Sequence, residues 1–123
     1  MAEDNTETFH HLRERLIEEK PFLTSIRNCA TRLKVRHILN IANKKQLKLL
    51  IKITHHVVAG DIPLKTDDFK KLLKAKKLSF LKREFERDKE VKELLKCGRE
   101  KQLSVLYKLQ SVLPYILSPI VSE

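Results

Sequence analysis

The chain has 123 residues, of which 34% are charged and 41% hydrophobic, with a formal net charge of +10 at pH 7 and a sequence pI near 9.8. It is too apolar for a disordered basic protein and too charged for a membrane protein, and its length suits one domain with tails. No apolar run approaches the roughly 20 residues a transmembrane helix needs, and the N-terminus lacks the basic and apolar regions of a signal peptide, so the expectation is a protein that is not secreted and does not span a membrane.

The first twenty residues hold Arg13, Arg15 and Lys20 against Glu3, Asp4, Glu7, Glu14, Glu18 and Glu19. Thr6 is placed to cap a helix with Phe9, Leu12 and Leu16 on one stripe, ending before Pro21. From Pro21 to Gly60 the pattern inverts: Arg27, Arg32, Lys34, Arg36, Lys44, Lys45, Lys48 and Lys52 occur without one Asp or Glu. Charge segregated in this way calls for a polyanionic partner. Within the basic stretch, Phe22, Leu23, Ile26 and Ala30 mark one segment and Val35, Ile38, Leu39 and Ala42 another, read as one broken helix or two short ones. Asn43 as N-cap and Gly60 beyond the C-terminus bracket the clearest helix. At 100° per residue, Leu47, Leu50, Ile51, Thr54, Val57 and Val58 fall on one side, and Lys44, Lys45, Lys48, Lys52, His55 and His56 on the other, as a solvated basic face.

Asp61-Ile62-Pro63-Leu64 reads as an extended connector, since Pro63 disfavours helix at the residue before it. Thr66 is expected to cap the next helix, with Asp67 and Asp68 complementing its dipole, Phe69, Leu72 and Leu73 inward, and Lys70, Lys71, Lys74, Lys76 and Lys77 outward. From Leu78 to Cys97, Lys82, Arg83, Arg87, Lys89, Lys92 and Lys96 interleave with Glu84, Glu86, Asp88, Glu90 and Glu93. That alternation indicates an exposed, salt-bridge-laced helix or hairpin away from the main binding surface. Gly98 breaks the pattern, and a last helix is expected through Leu103, Leu106, Tyr107, Val112 and Leu113 to Pro114. Residues 112–121 carry no charge. They suit a strap on the domain or a docking segment for another protein, with Leu113, Pro114, Ile116, Leu117 and Ile120 as the contacts.

The expected fold is therefore all-α, a compact bundle of about five to six short helices with an apolar C-terminal segment. The chain divides into an acidic segment at 1–20, a basic helical domain at 21–111 and the apolar end at 112–123. Its core is drawn from Ile26, Ile38, Leu39, Leu47, Leu50, Ile51, Val58, Leu72, Leu103 and Leu106.

Catalytic and metal chemistry find little footing. Cys29 and Cys97 are far apart with no C-x-x-C and no histidine at zinc-finger spacing, which points to two reduced, half-buried thiols and no metal. The doublets His10-His11 and His55-His56 are helix neighbours about 100° apart, poorly placed to share an ion. Two glycines in the chain leave no phosphate-cradling loop and no nucleophile elbow. No enzyme activity and no cofactor are expected.

Four segments in order carry a resemblance: Ile38-Leu39-Asn40-Ile41-Ala42, Gly60-Asp61-Ile62-Pro63-Leu64, the lysines from Lys70 to Lys77, and Leu113-Pro114-Tyr115-Ile116-Leu117-Ser118-Pro119-Ile120. Together they resemble a family of small basic proteins encoded by adintoviruses and related Maverick/Polinton elements, over roughly residues 23–121. The closing motif is also similar to the tail of the adenoviral core peptide pX, or mu, which is packaged with the viral genome. In both relatives a Gly-Gly pair commonly precedes the L-P motif, and in adenoviruses it marks a maturation-protease site; here Leu109-Gln110-Ser111 stands before Val112 instead. The resemblance implies a virion core or genome-packaging component located in the virion or the host nucleus.

From charge and resemblance together, the leading expectation is a non-enzymatic protein that binds duplex DNA through its phosphate backbone without sequence preference. Its contacts would be Arg32, Lys34, Arg36, Lys44, Lys45, Lys48, Lys52, Lys70, Lys71 and Lys74. Few aromatic residues are present for stacking on unpaired bases. A helical protein-interaction module, or minor structural protein docking on a capsid or other viral protein through its C-terminus, is the alternative. A helix-turn-helix regulator is a third reading, weakened because lysines do not read base edges as Arg, Asn and Gln do.

Overall fold

A computed structural model describes residues 9–29 and 31–121, with side chains from Leu12 onward; these residues form helices and turns, with no strand among them. The helices are α1 (Phe9–Glu18), α2 (Lys20–Arg27), α3 (Arg32–Ile41), α4 (Lys44–Ala59), α5 (Thr66–Lys74), α6 (Leu78–Phe85), α7 (Asp88–Lys96), α8 (Arg99–Tyr107) and α9 (Leu113–Leu117). Thr6 and Ala30, expected as a cap and an apolar contact, lie outside the described residues.

Nine helices among the described residues exceed the five or six expected, because two expected continuities are broken. The stretch from Leu78 to Cys97 divides at Glu86-Arg87 into α6 and α7. The last helix stops at Tyr107, and tight turns follow, closed by Leu109 N–H to Leu106 O at 2.9 Å and Val112 N–H to Leu109 O at 2.9 Å. Short pieces let the chain wrap around one central element.

That element is α4, whose start is fixed by a capping box between Asn43 and Gln46 and whose end turns through Gly60 at φ 91°. It packs against α6, α7, α8 and α9. Covered on so many sides, it buries Leu47, Leu49, Leu50, Ile51, Ile53 and Val57, and also Lys52, His55 and His56, which are 8%, 5% and 5% exposed. The last three correct the expected two-faced helix: a period of 3.6 residues shows which side is more apolar, while the number of neighbours decides how much of the other side is covered.

Several polar groups inside this shell are hydrogen-bonded. His55 Nδ1 lies 2.6 Å from Phe85 O and its Nε2 2.8 Å from Asp88 Oδ1, which ties α4 to the α6–α7 junction. His56 Nδ1 lies 2.7 Å from Asp61 Oδ2. The Gln102 side chain, fully buried, donates from Nε2 to Leu94 O, Leu95 O and Cys97 O and so satisfies the carbonyl end of α7. Arg99 does the same for α3, donating to Asn40 O at 2.6 Å and to Ala42 O.

The apolar core runs from Leu12 to Val121. Of the expected core, Ile26, Leu39, Leu47, Leu50, Ile51, Leu72 and Leu106 are buried, and Ile38, Val58 and Leu103 are partly buried against them. Phe69 and Leu73, expected inward, are 43% and 47% exposed; the main helix contact of α5 is α9, and one neighbour buries only the narrow stripe through Leu72. α5 starts one residue earlier than expected, with Lys65 at the N-cap and no side-chain cap from Thr66. The stretch expected to be a solvated, charge-laced hairpin supplies Leu81, Phe85, Val91, Leu94 and Leu95 to the core.

Candidate nucleic-acid interface

The ten cations expected to meet DNA are spread over three helices, α3, α4 and α5. On α3, which Thr31 caps by accepting from Lys34 N–H at 3.2 Å, Arg32, Lys34 and Arg36 are all exposed. Arg36 lies over the Tyr107 ring with its guanidinium carbon 4.6 Å from the centroid, and Tyr107 in turn donates to Asn40 Oδ1 at 3.2 Å. On α5, Lys70, Lys71 and Lys74 face outward around a surface hollow they share with Asp67 and Leu73. Lys71 also sits 4.9 Å above the Tyr115 ring.

The basic residues of α4 separate by depth. Lys44 and Lys45 are exposed in its first turn, Lys48 is half-buried, and Lys52 is buried. Lys48 and Lys52 are four residues apart on one stripe of α4, and the same spacing puts Lys92 and Lys96 on one stripe of α7. Where α4 and α7 pack together, the two stripes converge on a cleft of about 230 Å³ lined by Lys48, Lys52, Lys92, Lys96 and Leu95. No acidic side chain lines this cleft.

Lys92 and Lys96 are thus the functional candidates that the sequence pattern misses. Read along the chain, they look neutralised by Glu90 and Glu93; in three dimensions the facing helix contributes only lysines to this cleft. Lys52, expected on a solvated face, is only 8% exposed where it lines the packed α4–α7 contact.

The apolar C-terminal contacts have a different fate from the one a docking segment requires. Leu113, Ile116 and Leu117 are fully buried, and Pro114 and Ile120 are half-buried. α9 packs against α2, α4 and α5, and Arg27 Nη1 donates to Val121 O at 2.5 Å, holding the end of the described chain to α2. The domain itself therefore covers most of the apolar surface expected to meet a partner.

Cys29 and Cys97 are free and half-buried. Each thiol donates back along its own helix or turn, to Ser25 O at 3.1 Å and Glu93 O at 3.2 Å. Burial pushes the Cys29 thiol above its ordinary pKa, with Lys34 pulling it partly back, so it stays protonated at neutral pH. Among the described residues no group of three or more His, Cys, Asp and Glu side chains is placed to hold a metal ion. No helix among them is long and apolar enough to cross a membrane. No protein-family model, no curated protein and no solved structure matches this chain.

Proposed function

We propose that this protein is a non-enzymatic binder of duplex DNA that grips the phosphate backbone through the lysine cleft between α4 and α7, without reading base sequence. The observation that carries the reading is the convergence of Lys48, Lys52, Lys92 and Lys96 on one cleft with no acid in its lining. The ammonium groups of Lys48 on α4 and of Lys92 and Lys96 on α7 repel one another, and a phosphate between them removes that repulsion while releasing condensed counterions from the DNA. Lys44 and Lys45, exposed in the first turn of the same α4, extend the cationic surface along the helix.

Lysine is a point-charge ligand for phosphate and lacks the planar fork that reads guanine bidentately, which favours backbone contact over base recognition. The arginines Arg32 and Arg36 on α3 form a secondary patch, with Arg36 held over Tyr107. Under this reading, and with the resemblance to the adintovirus and Maverick/Polinton proteins, the role is that of a core or genome-packaging component of a virus or virus-like element, acting in the virion or the host nucleus. The test is fluorescence anisotropy with two unrelated duplexes of about 20 base pairs across a salt series. If about 5 phosphates are neutralised, log K falls against log salt with a slope of roughly −4 to −5, the same for both duplexes. A preference for one duplex beyond about tenfold would favour the helix-turn-helix reading instead.

A further inference from the structure

α5 carries an apolar row that the fold does not use. Its main helix contact is α9, and while Leu72 is buried, Phe69 and Leu73 remain 43% and 47% exposed. Four residues apart, these two lie on one face of the helix. Phe69 also forms part of the wall of a hollow of about 310 Å³ between the end of α4, the 61–64 connector, α5 and α6. Val58, Ile62, Leu64, Leu78 and Leu81 contribute to the same wall, and among the described residues Lys82 is the only polar side chain in it. An exposed apolar concavity of this kind marks a binding surface. Its volume is at the small end of ligand cavities, which run from roughly 300 to 1,000 Å³, and suits a large apolar side chain presented by a partner.

The surroundings of the hollow specify that partner. From Asp61 to Lys82 the chain carries seven lysines and three aspartates. Asp68 is buried and Asp61 lies 2.7 Å from the His56 ring, so the exposed surface is strongly positive. Lys70 and Lys74, each one residue beyond Phe69 and Leu73, repeat their spacing, and both are exposed. A cationic row therefore runs along α5 beside the apolar one. Lys82 adds its charge at the hollow itself. Among the described residues none of these three lysines is ion-paired. An apolar row bordered by a cationic row is complemented by apolar side chains bordered by carboxylates.

We propose that this face of α5 and α6 is a docking site for an acidic amphipathic helix of a partner protein. The partner seats one large apolar side chain in the hollow beside Phe69, covers Leu73 with the next, and sets its carboxylates against Lys70, Lys74 and Lys82. The i,i+4 spacing of Phe69 and Leu73 matches the spacing at which a helix presents its own apolar anchors. A bilayer is the poorer match, since it receives protruding apolar side chains and offers none to fill a concave wall. Duplex DNA is poorer still, because its phosphates gain nothing from an apolar hollow. The hollow shares no lining residue with the α4–α7 cleft, so the two proposals stand or fall separately.

The experiment titrates the full chain into a labelled helical peptide of about 18 residues, read by fluorescence anisotropy, with leucines on one stripe and glutamates on the other faces. Two control peptides replace the leucines with alanine or the glutamates with lysine, and each is expected to bind at least about tenfold more weakly. Phe69→Ala with Leu73→Ala should weaken the acidic leucine peptide by at least about tenfold and leave the affinity for duplex DNA unchanged. Lys70→Glu with Lys74→Glu should weaken the peptide by a similar factor. All four positions are exposed, so both variants should keep the parent circular dichroism spectrum; the alanine peptide applies the same test to the parent protein. No binding of the acidic leucine peptide would overturn the assignment. So would an alanine peptide that binds as tightly as the leucine one, or a Phe69→Ala, Leu73→Ala variant with parent affinity. Binding to anionic vesicles that this double variant loses would assign the face to a membrane instead, and a dimer that it dissolves would assign it to a second copy of the chain.

Discussion

Leu50→Ala tests the placement of α4 at the centre of the fold. Leu50 is fully buried in a helix that packs against four others, so truncation removes a complete core side chain and leaves a hole that rigid neighbours close only in part. Substitutions of this kind cost about 2 to 5 kcal/mol, against a total stability of roughly 5 to 15 kcal/mol for a domain of this size. At roughly 3 to 6 °C per kcal/mol, the melting temperature should fall by some 6 to 30 °C. Leu33→Ala supplies the control, since Leu33 is 79% exposed on α3 and the same atoms removed there should change stability by less than about 0.5 kcal/mol. Thermal melts followed by circular dichroism compare the two. Equal melting temperatures for Leu50→Ala and Leu33→Ala would refute the central position of α4.

Other substitutions probe particular contacts. Gly60 turns the chain at φ 91° with open space around its missing side chain, so Gly60→Ala should cost about 1 to 2 kcal/mol through backbone strain alone, while Lys76→Gly, at φ 56°, should stabilise by up to about 1 kcal/mol in urea denaturation. Gln102→Leu keeps the volume but strands the carbonyls of Leu94, Leu95 and Cys97, and should destabilise by about 1 to 3 kcal/mol, read as faster amide exchange at the end of α7. Deleting residues 112–123 takes away the buried side chains of Leu113, Ile116 and Leu117 and uncovers the surface beneath them; each such side chain contributes about 1.5 to 3 kcal/mol, so the truncated chain should melt well below the full one or fail to fold.

Local signals are legible where one residue dictates the geometry. Asn43 and Gly60 mark the ends of α4 because capping and a positive φ are short-range demands, and Ile26, Leu39, Leu50 and Ile51 mark the core because they sit at the centre of apolar stripes. What the chain does not reveal by itself depends on neighbours distant in sequence. Lys52, His55 and His56 alternate with apolar residues in a way that looks solvated until α6 and α7 are laid over them. Phe69 and Leu73 look buried because the pattern assumes a partner on each side of α5. The lysine cleft is half visible: Lys48 and Lys52 belong to an acid-free run, whereas Lys92 and Lys96 are masked by the glutamates beside them in sequence. The burial of Asp68 gives no signal, since an aspartate in the first turn of a helix is most simply a partner for the helix dipole.

If position in the α4–α7 cleft, and not total charge, governs DNA binding, charge reversal at two matched pairs of lysines measures it directly. One double variant carries Lys48→Glu with Lys92→Glu inside the cleft, and the other Lys89→Glu with Lys101→Glu at exposed sites outside it. Both change the net charge equally. Anisotropy titrations against one duplex across a salt series should show the cleft pair with most of its affinity gone, and with the slope of log K against log salt flattened by about 0.9 for each phosphate that is no longer neutralised. The outer pair should bind nearly as the parent does. Equal weakening by the two pairs would contradict the cleft as the binding site and reduce the interaction to bulk basicity.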